Sequence, residues 1–152
     1  ECVRTDGEPK MRGWTQRLDQ SRVRSRADKT ELLPLPKAIR DVLSLEYHLQ
    51  LEALRAGAGS LTALRILLRV AMAAAMLREL GYGGQRLHAS DEYERIAGDA
   101  YESGEEGRYG FDPAAFCAFA ALVTDHDAQL ETAPVRVIDI VARQLERPGA
   151  AQ

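Results

Sequence analysis

The segment from Leu61 to Leu80 constrains this chain more than any other. Its only charges are Arg65, Arg69, Arg78 and Glu79, and it stops at Gly81. A helix that is apolar on nearly every side must be surrounded by other elements, so the segment predicts the centre of a helical bundle. Ala71, Ala73, Ala74 and Ala75 thin its middle, so a neighbouring helix can approach closely. Met72 and Met76 suit irregular gaps beside them.

The flanking segments read as helices too. Pro34 and Pro36 end an extended stretch, and a helix follows from about Lys37 to Ala56. Ile39, Val42, Leu43, Leu49 and Leu54 give its expected buried stripe, which Leu45 and Leu51 broaden. Gly57 to Gly59 stop it, and Ser60 is the expected N-cap of the central helix. A third helix is expected from Asp91 to Ser103, capped by Ser90, with acids in its first turn. Gly104 to Gly110 reads as a flexible acidic connection. Asp112 as cap and Pro113 in the first helical position open a fourth helix that runs to about Glu131. Val137, Ile138, Val141 and Leu145 fit a fifth helix, from Val135 to Arg147. The expected fold class is therefore all-α, a compact bundle of about five helices around residues 61–80. The expected domain spans 32–147, preceded by a basic, mobile arm at 1–31 and followed by a tail at 148–152.

At 152 residues the chain is long enough for one core, since a domain of this size buries roughly 70% of its unfolded surface. The net charge of −3 hides an asymmetry. Residues 1–30 carry 8 Lys/Arg against 5 Asp/Glu, and the remainder carries 12 against 18. Arg12, Arg17, Arg22, Arg24, Arg26 and Lys29 could contact phosphates or an acidic protein surface. Trp14 is the only aromatic residue near them, too little for a base-stacking platform. The longest uncharged apolar run, Val70 to Leu77, is too short to span a bilayer. Cys2 and Cys117 suggest two free thiols in a reducing compartment, and the expected location is the cytoplasm. Met11 is a candidate natural start.

Chemistry-bearing motifs are sparse. The turn at Gly57 loosely fits a helix–turn–helix, but its second helix would present Leu61, Leu64 and Leu68 where a reading helix needs polar side chains. Glu46 and His48 are two residues apart, and His126 lies between Asp125 and Asp127, so neither set shares a helix face. The Glu-x-x-His spacing of a carboxylate-bridged metal bundle does not occur. Cys117 lies among Phe116, Ala118 and Phe119 with no base within a turn, a setting that keeps a thiol protonated. There is no nucleophile elbow and no phosphate loop. Arg65 and Arg69 are expected to pair with an acid such as Glu46 or Asp125. No catalytic residue, cofactor or metal is expected.

Four segments, LLPLP at 32–36, LSLEYHLQLEALRAG at 43–57, LLRVAM at 67–72 and HDAQL at 126–130, together carry a resemblance. They resemble small helical proteins of proteobacterial plasmids and integrative conjugative elements, often labelled Fis-like transcriptional regulators. The resemblance spans about residues 32–138, and the DNA-reading helices of Fis have no counterpart here. It implies a shared role for Leu45, Glu46, His48, His126 and Asp127. The expected function is a non-enzymatic protein-interaction module of a mobile genetic element, one form being an inhibitor of a host defence complex. The alternatives are a DNA-binding regulator using the basic arm, and a metal-dependent enzyme with a site between helices near Glu46, His48 and His126. A protein partner is expected first, nucleic acid through the arm second, and no membrane. A homodimer would form through the first or fifth helix.

Overall fold

The computed structural model describes residues 29–83 and 89–146. The fold is an all-α bundle. Its helices are α1 (Lys37–Arg55), α2 (Leu61–Glu79), α3 (Ser90–Glu102), α4 (Pro113–Thr132) and α5 (Val135–Glu146). The arm up to residue 28, residues 84–88 with His88, and the tail from Arg147 lie outside the described residues. Among the described residues no helix is long and apolar enough to cross a membrane.

Helix α2 takes the central place, packing against all four of the others. Ala63, Leu64, Leu67, Val70, Ala71, Ala74 and Leu77 are buried along it, while Arg65 and Arg69 are exposed on its remaining side. The larger core joins these residues to Leu51 and Leu54 of α1, Tyr93 of α3, and Phe119 and Leu122 of α4. Phe119 stacks on Phe111 at 4.8 Å and meets the edge of Tyr93 at 5.1 Å. A smaller core of Leu77, Ala133 and Val141 seats α5 on the end of α2.

The helix ends follow local chemistry. The Ser60 hydroxyl accepts from the Ala63 N–H at 3.2 Å, and Asp112 accepts from the Ala115 N–H at 2.7 Å ahead of Pro113. Gly57 and Gly81 take φ of +69° and +94°, the left-handed stop that other residues resist. Ser90 departs from expectation. Ala89 occupies the N-cap without a side-chain bond, and Asp91 and Glu92 in the first turn meet the helix dipole instead.

Two connections are more built than the sequence suggests. Across residues 104–110, Glu105 and Arg108 exchange backbone hydrogen bonds of 3.1 and 2.9 Å. Glu106 and Gly107 between them both have positive φ, as in a type I′ turn. Tyr109 then pairs with Gly59 through bonds of 3.0 and 2.8 Å, and Phe111 N–H donates to Leu54 O at 2.9 Å. The turn after α1 is thus laced to the turn before α4. At the other end Lys29 to Glu31, expected in the arm, are helical, and Val135 N–H donates to Leu33 O at 2.9 Å.

Helix α1 corrects the expected stripe. Its buried residues are Tyr47, Leu51 and Leu54. Val42, Leu45 and Leu49 are 68%, 58% and 57% exposed, and Ile39 and Leu43 are also exposed. At 100° per residue, Leu45 and Leu49 lie roughly opposite Tyr47 and Leu51, so the helix is apolar on two sides and only one fits the bundle. Cys117 is likewise exposed on α4 rather than enclosed by its aromatic neighbours.

A Cβ at Gly59 would lie 2.4 Å from Leu54 Cδ2 and 3.1 Å from Tyr109 O. Gly59→Ala is therefore expected to destabilise the protein by about 1–3 kcal/mol in urea denaturation, as overpacking does. Gly98→Ala is the control, since a Cβ there meets nothing within 4 Å.

Candidate functional site

The polar groups of the bundle gather where Asp125, His126 and Asp127 follow one another on α4. Successive residues of a helix point about 100° apart, so the three side chains diverge to three sets of partners.

Asp127 turns to α1. Its Oδ1 accepts from the Tyr47 hydroxyl and its Oδ2 from His48 Nε2 at 2.8 Å, and the Ser44 hydroxyl also bonds to the carboxylate. Burial disfavours the charged carboxylate, but these three donors outweigh burial and hold Asp127 below its ordinary range. The Tyr47 phenol is pushed up, first by burial and then by the hydrogen bond and charge of Asp127. In a nucleophilic triad the imidazole stands between hydroxyl and carboxylate. Here the carboxylate is the hub: the Tyr47 hydroxyl and the His48 imidazole end on it, and the Ser44 hydroxyl faces both Asp127 and Tyr47. The set joins α1 to α4.

His126 turns inward and is 7% exposed. Its Nδ1 lies 3.1 Å from Gln129 Oε1, and Gln129 Nε2 donates to Ala74 O and Tyr82 O, each at 2.9 Å. Two carbonyl acceptors fix which end of the amide is nitrogen, because a flipped amide would set oxygen against oxygen. Oε1 therefore faces His126, and Nδ1 must be the protonated nitrogen. Burial pushes the His126 pKa down, against the opposing pull of Gln129, Asp127 and Asp125. The ring is neutral at pH 7, with its lone pair on Nε2. Asp125, the third residue, is buried and paired with Arg78 Nη2 at 3.2 Å.

Beside His126 opens a cavity of about 320 Å³ between α1, α2, α4 and α5. Its walls are apolar, with Leu43, Val70, Ile138 and Leu145 among them, and exposed Glu46 and Arg69 line it as well. Glu46 therefore lies apart from His48, which is spent on Asp127. Neither Arg65 nor Arg69 has an ion pair among the described residues, and the expected acid Asp125 is held by Arg78 instead. Among the described residues no group of three His, Cys, Asp or Glu side chains converges as a metal cage. Of the six basic positions, Lys29 is exposed, and Arg12, Arg17, Arg22, Arg24 and Arg26 lie outside the described residues.

Sequence reasoning singled out His48, His126 and Asp127 but passed over Ser44, Tyr47 and Gln129. The spacing of Ser44, Tyr47, His48 and Leu51, at i, i+3, i+4 and i+7, marks one helix face and was the available signal. Compared with protein-family models, curated proteins and solved structures, the chain matches none.

Two outcomes are expected. Tyr47→Phe removes one donor from Asp127, so it should cost about 1 kcal/mol in denaturation. Asp127 should then titrate closer to its ordinary range, as followed by carboxyl carbon NMR. The second outcome concerns pH. A depressed folded pKa means that the unfolded chain binds the proton more tightly, so stability falls as pH falls. The His126 contribution should decline below its ordinary value of 6.5, and the Asp127 contribution only below 3.8. Denaturation midpoints measured from pH 8 to pH 3 should show both losses, and His126→Phe should remove the first alone.

Proposed function

We propose that this chain is a non-enzymatic protein-interaction module that docks a helix of another protein on the outer face of α1. The observation that carries this reading is the exposed ridge of Val42, Leu45 and Leu49. These residues follow i, i+3, i+7 spacing, the seam that a second helix packs against. Among the described residues the bundle leaves them exposed, because α1 spends its Tyr47, Leu51 and Leu54 side on α2 and α4. Exposed apolar residues in a contiguous row mark interaction surfaces more often than they serve a monomer. Of the acids that flank the ridge, Asp41 and Glu52 pair with Lys37 and Arg55, and Glu46 has no ion pair among the described residues, so the complementary partner is an amphipathic helix with a basic residue placed for Glu46. The resemblance noted in the sequence gives this partner a setting, a host complex met by a product of a mobile genetic element.

The test is capture of partners from host lysate with the full chain, beside Leu45→Asp and Leu49→Asp variants. Both positions are exposed, so each change should shift stability by no more than about 0.5 kcal/mol. A partner held by the parent chain and lost by both folded variants is the expected result. A partner retained by both variants, or none held at any salt, would reject the reading. Sedimentation of the purified chain separates a second copy from a foreign partner, since a homodimer would dissociate in the same two variants.

A further inference from the structure

The cavity beside His126 has features that protein docking on the outer face of α1 does not use. Its walls come from four helices and are apolar. Of the two buried lining side chains that carry a polar group, Tyr47 gives its hydroxyl to Asp127, and His126 has its Nδ1 closed off by Gln129, while its Nε2 makes no hydrogen bond among the described residues. The Gln129 amide, fixed by Ala74 O and Tyr82 O, leaves that free nitrogen an acceptor. A single acceptor in an apolar wall is a poor place for water, which needs two to four polar partners to be held well.

We propose that this cavity is a binding site for a small apolar molecule of one or two rings that carries a single O–H or N–H donor for His126 Nε2. A volume of about 320 Å³ accepts a bicyclic ring system. Leu43, Ile138 and Leu145 enclose the apolar body. Exposed Glu46 and Arg69 sit at the mouth, where a polar substituent stays in contact with water. The neutral state of the imidazole, a consequence of its burial, keeps the acceptor available at pH 7. The inference does not rest on the docking reading, because Val42, Leu45 and Leu49 do not line the cavity, although Glu46 borders both surfaces.

Indole and benzofuran test it, since they share a shape and only indole has an N–H donor. The full chain is titrated with each, following methyl resonances of Val70, Ile138 and Leu145 and the side-chain nitrogens of His126 by NMR. The expected result is saturable binding of indole, with shifts confined to these groups, and benzofuran about tenfold weaker, the worth of one hydrogen bond. His126→Phe should bring indole down to the benzofuran level. Ala142→Trp, at an exposed position lining the cavity, should weaken both ligands about tenfold or more without unfolding the chain. Absence of saturable indole binding, equal affinity for the two probes, shifts centred elsewhere, or binding indifferent to Ala142→Trp would each overturn the proposal. The probe comparison on the parent chain decides the matter even if His126→Phe does not fold.

Discussion

Gln129 has no exposed surface, and its carboxamide must be satisfied inside the bundle. Its nitrogen reaches Ala74 on α2 and Tyr82 just beyond it, and its oxygen meets His126 one turn back on α4. This one side chain fixes the approach of α4 to the central helix and the tautomer of a buried imidazole. Losing it would leave the ring N–H of His126 and the Tyr82 carbonyl without this partner. Asp125 sits at the height of Arg78, and Asp127 at that of Tyr47 and His48.

The second constraint is the position of α2. A helix enclosed by four neighbours sends each of them one wall to pack against and leaves their other sides to the outside. For α3 those other sides carry Arg95, Asp99 and similar residues, which water accepts readily, and for α4 mostly small ones, Ala114, Cys117, Ala121 and Thr124 among them. For α1 they carry leucines and a valine. The contrast between helices built on one scaffold is what gives the α1 ridge its meaning, more than the exposure of any single residue.

The central helix was legible because its apolar character does not depend on register. The caps were legible where Ser60 and Asp112 act locally, within three residues of the N–H they accept from. The buried face of α1 was not legible. Leucines lie on both of its sides, and the phenol of Tyr47 was not counted as core although its ring is enclosed. Ser44, His48 and Asp127 meet only through the crossing of α1 with α4, which no local pattern encodes. Gln129 reads as an ordinary surface residue until α2 is placed beside it. Cys117 shows the opposite error, since aromatic neighbours in sequence are not neighbours in space when each residue turns by 100°.

The lacing of Gly59 to Tyr109, and of Leu54 to Phe111, has a consequence for how the molecule breathes. Helix ends ordinarily fray one at a time, each at little free-energy cost. Here the end of α1, the start of α2 and the approach to α4 share one set of backbone bonds over the stacked rings of Phe111 and Phe119. None of the three can open without the others. The amide hydrogens of Gly59, Tyr109 and Phe111 therefore belong to a single cooperative unit, and their exchange with solvent reports the opening of that whole end of the bundle.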